Sequence, residues 1–302
     1  MQGLIAIAAR RLTPPGFERA MVRRRLPQPP PSRLAIWARR LAIFSLPVAA
    51  LAIIIERAGL LDFRPVLATF AAALALAAIA ILLAIAALVV IWIDGRDGAR
   101  YALAALAIGA LMLAYPAYLG VKAYQLPAIN DITTDPHDPP RFEAVARLRT
   151  REANPVAYRG PALYERQRAA YPDVAPLAAN VDAKTAYEAA YAVVSQRKWR
   201  IVDARPPQAG RRDGRIEAIV RTPIMGFRDD VVIRIRTVET GVRVDVRSAS
   251  RYGNHDLGTN AARVSSLIED LDEAMTPDKG EQPARKAQRA AKSLPPAQPA
   301  RR

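Results

Sequence analysis

Three long apolar segments dominate the first part of the chain, with short polar turns between them. They run from about Leu34 to Ile55, from Pro65 to Ile93 and from Tyr101 to Val121. A bilayer core of about 30 Å needs about 20 apolar residues in helical form, so we expect each segment to span a membrane. Arg39 and Arg40 interrupt the first segment, so its span is expected to begin near Leu41 and to be short. A soluble helical core is the alternative, but the second segment is uncharged for longer than an amphipathic helix allows.

The charged residues around these segments predict their orientation. Nine arginines and one glutamate precede the predicted start of the first span. The positive-inside rule therefore places the N-terminus in the cytoplasm. Three crossings carry everything after Val121 to the opposite side, which is the periplasm if the protein lies in a bacterial inner membrane. If the first span failed to insert, the C-terminal part would lie in the cytoplasm instead.

Four regions follow from these patterns. Residues 1–33 form a basic, proline-containing cytoplasmic N-terminus, residues 34–121 the three-span membrane region, residues 122–276 a soluble domain, and residues 277–302 a disordered basic tail. The opening "MQGLIAIAARRL" differs from a signal peptide, because its basic residues follow the apolar stretch. Both Met1 and Met21 stay open as the first translated residue.

Periodic segments predict the secondary structure of the soluble domain. Apolar residues recur at helical spacing after Asp182 and again from Leu257 to Met275, so we expect a helix at each end, with Asp256 as the N-cap of the second. Four strand-like segments lie between them: "WRIVDA", "GRIEAIVR", "DVVIRIRTV" and "GVRVDVRSAS". Because the connections are mostly short, the expected fold is α+β, with an antiparallel four-stranded sheet and two helices on one face. The proline-rich segment Ile129–Phe142 is expected to pack against this domain.

The last two strands predict a hairpin with a defined register. Opposing Thr237 with Val242 keeps one face of both strands apolar, and a buried apolar face is what normally fixes a register. This register leaves a four-residue loop from Val238 to Gly241 and places Arg234 across from Asp245 on the other face. That charged face is either solvated or forms the wall of a polar groove.

Composition excludes several kinds of chemistry. The 302 residues include no cysteine and two histidines, so disulfides, thiolate catalysis and cysteine-ligated zinc are excluded, and we predict neither a metal site nor a cofactor. A net charge of +16 would ordinarily indicate a polyanion partner, but the excess lies in the N-terminal flank and the C-terminal tail. We therefore expect no nucleic-acid partner. The expected partners are the lipid bilayer, an anionic small molecule or headgroup, and a membrane-protein partner.

The densest polar stretch is "DVRSASRYGNHDLGTNAARV", residues 245–264, at the predicted junction of the fourth strand with the last helix. A helix start presents unpaired N–H groups and a partial positive charge, and nearby arginines would complete an anion site. The candidate ligand-binding residues are Arg247, Ser248, Ser250, Arg251, His255, Asp256, Asn260 and Arg263. In the alternative, Asp256 caps the helix and the arginines pair with Asp229, Asp230 or Asp245. A catalytic Ser-His-Asp set is disfavoured, because the adjacent His255 and Asp256 would point in different directions.

The same stretch resembles the C-terminal signature of the domain of unknown function 1499 family, an Arg-Ser-x-Ser-Arg run followed by Asp-Leu-Gly and Asn. Three further pieces match: "NDITTDPHDPPRF" (130–142), "AYPDVAPL" (170–177) and "RDDVVIRI" (228–235). The resemblance covers about residues 125–275. Many members carry an Asn-Cys pair that this chain lacks, so it is similar to the membrane-helix branch of the family. No established activity comes with the family, so the resemblance implies an architecture and a shared site but no reaction.

Three functions remain open from the sequence. The first is an inner-membrane protein whose periplasmic domain binds a ligand or partner through an anionic group. The second is an envelope hydrolase or transferase that uses Asp131, Asp229, Asp230, His255 and Asp256. The third is a structural partner of a membrane complex. A carboxylate of raised pKa in a cleft would favour an enzyme, an arginine-lined cleft would favour binding, and a flat apolar patch would favour a partner surface.

Overall fold

The structure is a computed structural model that describes residues 29–208 and 213–276. Most of the predicted basic N-terminus, the choice between Met1 and Met21, and the predicted tail from residue 277 lie outside the described residues. The described chain forms three long helices followed by a domain of strands and shorter helices.

The three predicted apolar spans are present as helices: α1 (Arg33–Ala58), α2 (Phe63–Asp94) and α3 (Ala99–Gln125). Each is long and apolar enough to cross a bilayer, with mean hydropathies of 1.9, 3.2 and 1.9. Fully buried alanines such as Ala42, Ala84 and Ala105 form the contacts between them, because small side chains let helical backbones approach closely. Large side chains point outward, with Leu82 66% and Leu111 77% exposed, as expected of lipid-facing positions.

The first helix begins before the predicted start near Leu41. Arg39 and Arg40 do not interrupt it, because their guanidinium groups lie over aromatic rings. Arg39 is 4.5 Å from the ring centre of Tyr101, and Arg40 is 5.3 Å from that of Trp37. The positive charges of the two arginines are therefore stabilised by the faces of aromatic rings.

The domain is built on a six-stranded antiparallel sheet, not the predicted four-stranded one. Its strands are β1 (Asp131–Thr133), β2 (Leu177–Ala179), β3 (Arg200–Arg205), β4 (Asp213–Arg221), β5 (Arg228–Val238) and β6 (Gly241–Ser250). The strand order is β1-β6-β5-β4-β3, and β2 also pairs with β6. The two additional strands have three residues each and lie one after the other along the outer edge of β6. A strand this short shows no measurable alternation of polar and apolar residues, so the pattern did not predict it.

Strands β5 and β6 form the predicted hairpin, and its register is confirmed, with Thr237 opposite Val242. The ladder extends to a pair formed by Val238 and Gly241, so the predicted four-residue loop is a two-residue turn at 239–240. Gly241 has a φ of 121°, and an added Cβ would collide with the backbone at the end of β2. Only glycine suits this position, both for its backbone angle and for the close approach of β2.

Two helices cover one face of the sheet as predicted: α5 (Ala183–Gln196) and α6 (Thr259–Met275). Asp182 begins α5 by accepting N–H bonds from Lys184 and Thr185 at 2.9 and 3.0 Å. Alternate residues of β4, β5 and β6 are aliphatic and pack against both helices, which forms the main hydrophobic core.

The opposite face is covered by the segment between β1 and α4 (Pro161–Ala170). Phe142 and Val145 pack against Val232 and Ala249 of the sheet and form a second, smaller core. The predicted packing of the proline-rich segment against the domain is thereby confirmed. Helix α4 is not among the predicted elements, because its ten residues lie in a proline-rich stretch without clear helical spacing.

Helix α4 closes the open edge of β1 through one side chain. The amide of Gln167 donates to the carbonyl of Thr133 at 2.8 Å, and its oxygen accepts the N–H of Thr133 at 3.1 Å. A buried side-chain amide thus takes the place of a neighbouring strand, which satisfies the backbone groups that an edge strand leaves unpaired.

The domain sits directly on the ends of the apolar helices. Helix α3 continues past the predicted end at Val121, and only the stretch 126–130 separates it from β1. Arg57, near the end of α1, donates to the carbonyls of Pro223 and Ile224 in the β4–β5 turn at 2.8 and 2.9 Å. This turn therefore marks the membrane-proximal end of the sheet, and the β5–β6 turn marks the distal end.

Candidate functional site

The junction between β6 and α6 is organised by Asp256. Its carboxylate accepts N–H bonds from Gly258 at 2.9 Å and from Asn260 at 2.8 Å, and its own N–H donates to the carbonyl of Ile129. Helix α6 begins at Thr259, and Gly258 occupies its N-cap position. Asp256, the predicted N-cap, lies two residues before Gly258 and bonds to the start of the helix from there. An internal carboxylate thus takes the N–H groups that a bound anion would otherwise use.

His255 joins this junction to the apolar helices. The N–H of Leu257 donates to Nδ1 at 3.0 Å, which leaves the ring proton on Nε2. Nε2 lies 3.2 Å and 3.1 Å from the carbonyl oxygens of Ala123 and Leu126 at the end of α3. Both ring nitrogens are therefore engaged in structural hydrogen bonds.

A buried hydrogen-bond network lies between β6 and α6, and we call it the helix-face cluster; its members are Asn130, Asp229, Ser248, Ser250, Asn260 and Arg263. Asn260 accepts from the Ser248 hydroxyl at 2.7 Å and donates to the Ser250 hydroxyl at 2.9 Å. Arg263 donates to Asp229 at 2.6 Å and to Ser248 at 2.8 Å. The members satisfy one another, which is the condition for burying polar groups between a sheet and a helix.

Arg247 and Arg251 belong to a second network on the opposite face, beneath the covering segment, and we call it the covered-face cluster. Arg247 donates to both oxygens of Asp131, from Nε at 2.9 Å and from Nη2 at 2.7 Å. Asp230 accepts from Arg251 at 2.9 and 2.7 Å and from Arg149 at 2.7 Å. The side chains of these five residues are between 0% and 8% exposed, so the ion pairs are shielded from water.

Strand alternation explains why the candidate residues fall into two clusters. Successive side chains of β6 point to opposite faces, so Arg247 and Arg251 face away from Ser248 and Ser250. The structure brings Ser248, Ser250, Asn260, Arg263 and Asp229 together, and it places Arg247 beside Asp131 and Arg251 beside Asp230. It does not bring Arg247 and Arg251 to the start of α6.

An open groove of about 450 Å³ lies on the covered face, towards the distal end of the sheet. Its walls carry four arginines and three carboxylates: Arg141, Arg205, Arg215, Arg234, Asp138, Glu143 and Asp213. Glu143 bridges Arg205, at 3.0 Å, and Arg215. The predicted charged face of the hairpin is therefore the wall of a groove here, and not simply a solvated surface.

A lattice of ion pairs borders this groove. Arg234, Arg236 and Arg243 contact the carboxylate of Asp245 at 3.0, 3.0 and 2.9 Å. The same three arginines contact Asp135 at 3.3, 2.9 and 3.0 Å. The hairpin register indicated the pairing of Arg234 with Asp245, but Asp135 lies 99 positions before Arg234 and was missed. Its signal was the aspartate-rich piece "NDITTDPHDPPRF".

Glu217 is a second residue that sequence reasoning missed. It is fully buried, accepts the N–H groups of Glu143 and Val145 at 2.9 Å each, and lies 3.0 Å from Nε of Arg215. Its carboxylate thus holds the covering segment on the sheet and fixes one wall of the groove. A polar residue between apolar neighbours in a strand is ordinarily solvated, so the pattern gave no reason to single it out.

Two carboxyl groups of the groove and its lattice, those of Glu143 and Asp135, have a lowered pKa. Burial would raise the pKa of Glu143, but the guanidinium groups of Arg215 and Arg205 outweigh it, and the pKa is lowered. Burial acts in the same direction on Asp135, where an N–H bond from Asp138 and the surrounding arginines reverse it and lower the pKa. These groups therefore stay ionised as partners of the arginines.

The helix side of the sheet has the opposite effect. Burial raises the pKa of Asp229 more than the guanidinium group of Arg263 lowers it. Burial also raises the pKa of Asp256, although the N–H bonds from Asn260 and Gly258 oppose this. The carboxyl groups with a raised pKa thus lie in the interior and not in the groove.

Metal binding has little support in the described chain. Within residues 29–208 and 213–276, no group of three or more His, Asp or Glu side chains is arranged to hold a metal ion. Asp135 and Asp245 lie near one another, but both are surrounded by the arginines of the lattice. Their charge is already neutralised, so they make a poor cation site.

Comparison with known proteins gives one match. Residues 131–271 match the family model described as "Protein of unknown function (DUF1499)", while no curated protein and no solved structure matches. The matched range runs from the first residue of β1 into α6, so it contains the covered-face cluster, the groove and all of the helix-face cluster except Asn130. The strand-and-helix domain that follows the three apolar helices belongs to the DUF1499 family.

Proposed function

We propose that this protein is a membrane-anchored binding protein whose periplasmic domain holds a small anionic or zwitterionic molecule in the arginine-lined groove. The groove itself is the observation that carries the proposal. Its volume of about 450 Å³ falls in the range of small-molecule sites. Three of its four arginines are held by carboxylates: Arg205, Arg215 and Arg234. Side chains that are already fixed lose little entropy when a ligand binds.

Arg141 supplies the charge that a ligand would meet. Its side chain is exposed, lines the groove, and makes no ion pair with any described residue. A guanidinium group binds a carboxylate or phosphate through two parallel hydrogen bonds. Asp138 on the same walls is paired with Arg234 and Arg236, but Asp213 makes no ion pair with any described residue. Asp213 would repel a purely anionic ligand, so it favours one that also carries a cationic or hydroxyl group.

A hydrolase or transferase is less well supported by the geometry. Asp131 and Asp230 already form buried ion pairs, and both ring nitrogens of His255 already make structural hydrogen bonds. The raised-pKa carboxyl groups of Asp229 and Asp256 lie outside the groove, whereas a general acid must reach the substrate.

A purely structural role in a membrane complex is also less well supported. The described residues of the domain expose four large apolar side chains: Leu148, Tyr191, Ile224 and Val238. They lie on different elements and form no continuous patch of the kind that marks a partner surface.

The proposed location rests on charge and on the number of helices. Nine arginines precede the predicted first span, and three candidate spanning helices follow. The positive-inside rule then places the N-terminus in the cytoplasm and the domain in the periplasm of an inner-membrane protein.

The binding proposal is tested with the full-length protein in detergent micelles. Thermal unfolding is measured with inorganic phosphate, succinate and phosphoethanolamine as probes of the anionic and zwitterionic classes. A ligand that binds only the folded state stabilises it, by about 2.7 kcal/mol at 100 times its Kd. We expect at least one probe to stabilise the wild type.

Two variants separate the groove from other anion effects. Arg141→Gln should lose the stabilisation by the probe. Arg147→Gln, an exposed arginine of the same segment that does not line the groove, should keep it. Absence of stabilisation by every probe, or an equal loss in both variants, would contradict the proposal.

A further inference from the structure

A second cavity lies at the membrane-proximal end of the sheet and is separate from the groove. Its volume is about 330 Å³, and it forms where α5 leads into β3 and where β4 and β5 meet their turn. Five cationic side chains and one tryptophan line it: Arg197, Lys198, Trp199, Arg200, Arg221 and Arg228. No acidic residue is among its lining residues. We call it the basic cavity.

The basic cavity adjoins the place where the apolar helices end. Arg221, which lines the cavity, donates to the backbone carbonyl of Arg57 near the end of α1. Phe63, at the start of α2, stacks on Tyr252 with ring centres 4.5 Å apart and meets Phe227 edge-on at 5.2 Å. Helix ends of this kind lie at the headgroup level of a bilayer, so the cavity faces the membrane surface.

Exposed apolar side chains surround this end of the domain. Leu60 and Leu61 in the α1–α2 loop are 70% and 53% exposed, and Ile224 in the β4–β5 turn is 41% exposed. A surface that lies in the headgroup zone has apolar side chains on the side of the acyl chains and cationic side chains on the side of the water, as this end of the domain does. Trp199 in the cavity wall fits the same zone, where tryptophan is enriched.

The cavity keeps an excess of positive charge. Arg197 is held by Asp270 at 2.7 Å, and Arg221 and Arg228 interact electrostatically with the buried Glu56. Lys198 and Arg200 are exposed and make no ion pair with any described residue; they are the charges that remain for a ligand.

We propose that the basic cavity binds the phosphate of an anionic phospholipid in the leaflet next to the domain. Lys198 and Arg200 would contact the phosphate, while Ile224 and the two loop leucines would lie against the upper acyl chains. The lipid would fix how the domain rests on the bilayer. This site is independent of the ligand groove, because the two cavities share no lining residue.

The size of the effect follows from the charge. A cationic side chain close to an anionic membrane surface strengthens binding about fivefold. Removing both free cations, in Lys198→Gln/Arg200→Gln, should therefore weaken lipid binding about 25-fold. Both side chains are exposed and unpaired, so the variant should fold normally.

The test uses the full-length protein in a neutral detergent. Phosphatidylglycerol, phosphatidylcholine and inorganic phosphate are titrated separately, and binding is followed by native mass spectrometry and by thermal stability. Lys184→Gln is the matched control, because it removes an exposed lysine near the opposite end of α5. We expect wild type and control to bind phosphatidylglycerol alike, the double variant to bind it about 25-fold more weakly, and phosphatidylcholine to bind all three weakly.

Each other outcome overturns the proposal. Equal binding of the two lipids would mean that the cavity does not recognise an anionic headgroup. Equal phosphatidylglycerol binding by the double variant and the control would place any lipid site elsewhere, for example around the apolar helices. Stabilisation by inorganic phosphate as strong as that by phosphatidylglycerol, lost in the double variant, would identify a soluble phosphate as the ligand.

Discussion

Replacing Arg251 by lysine tests whether the covered-face cluster holds the domain together. Arg251 donates twice to Asp230, at 2.9 and 2.7 Å, and once to the carbonyl of Leu148, at 3.0 Å. A lysine ammonium keeps the charge but not the planar fork, so it can keep the contact with Asp230 and loses the other donors. Removing one partner of a buried pair entirely costs about 3–5 kcal/mol. Since lysine retains part of the interaction, we expect a loss of about 3 kcal/mol in the free energy of unfolding.

The matched control is Arg243→Lys, in strand β6, which ends at the residue before Arg251; both arginines lie on the covered face. The Arg243 side chain is 38% exposed, and the buried carboxylates of Asp245 and Asp135 that it contacts are also held by Arg234 and Arg236. A lysine here keeps its charge at the partly exposed position, and neither carboxylate loses its other arginines, so this variant should lose only about 0–1 kcal/mol. The two variants make the same chemical change and differ in how deeply the replaced arginine is buried.

Unfolding of the full-length protein in micelles is followed by the fluorescence of Trp199, in a Trp37→Phe/Trp92→Phe background. Trp37 and Trp92 lie in α1 and α2, so Trp199 alone then reports on the domain. For a domain of this size about 3 kcal/mol corresponds to a fall of about 6–12 °C in the melting temperature. If the melting temperature falls equally in the two variants, or does not fall in Arg251→Lys, then the buried pair of Arg251 and Asp230 does not stabilise the domain more than the partly exposed arginine does.

Two further predictions concern orientation and pH. A reporter active only in the periplasm should be active when fused after Met275 and silent after Gly95, and the reverse pattern would place the domain in the cytoplasm. The pKa of Asp229 is raised in the folded protein relative to the unfolded chain. The Asp229 carboxyl group therefore stabilises the fold below about pH 4, and this stabilisation is lost as the pH rises through the pKa of the folded protein. The free energy of unfolding of the wild type minus that of Asp229→Asn should therefore decrease from pH 4 to pH 7, and a constant or rising difference would show that burial does not dominate at this site.

The main elements of the fold were predictable where a repeated pattern specifies them. The apolar helices, the hairpin register and the two covering helices each rest on many residues that agree with one another. Strands β1 and β2 exist only because they pair with the outer edge of β6, at Arg247–Ala249 and Val242–Val244. Tertiary pairing of that kind leaves no trace in a three-residue segment.

The sequence predicts many of the residues of the candidate site, but it does not predict how they are arranged in space. The polar stretch at 245–264 contributes residues to both buried clusters, whereas the sequence predicts a single site there. Alternation along β6 sends Arg247 and Ser248 to opposite faces. Their partners come from far along the chain, since Asp131 lies 116 positions before Arg247. The hairpin register therefore indicates the pair of Arg234 and Asp245 and leaves a groove open, but it does not indicate Asp135 or the other walls of the groove.

The short connection between α3 and β1 has a consequence for how a ligand would reach the groove. The stretch 126–130 extends to at most about 18 Å, and Ile129 within it accepts the N–H of Asp256, so the domain has no tether on which to swing. Six residue steps along β5 separate Arg228 in the basic cavity from Arg234 in the groove, which is about 20 Å of strand. A lipid held at the first position cannot present its headgroup at the second. A ligand of the groove would therefore have to enter from the aqueous compartment by diffusion, and could not be extracted from the bilayer below.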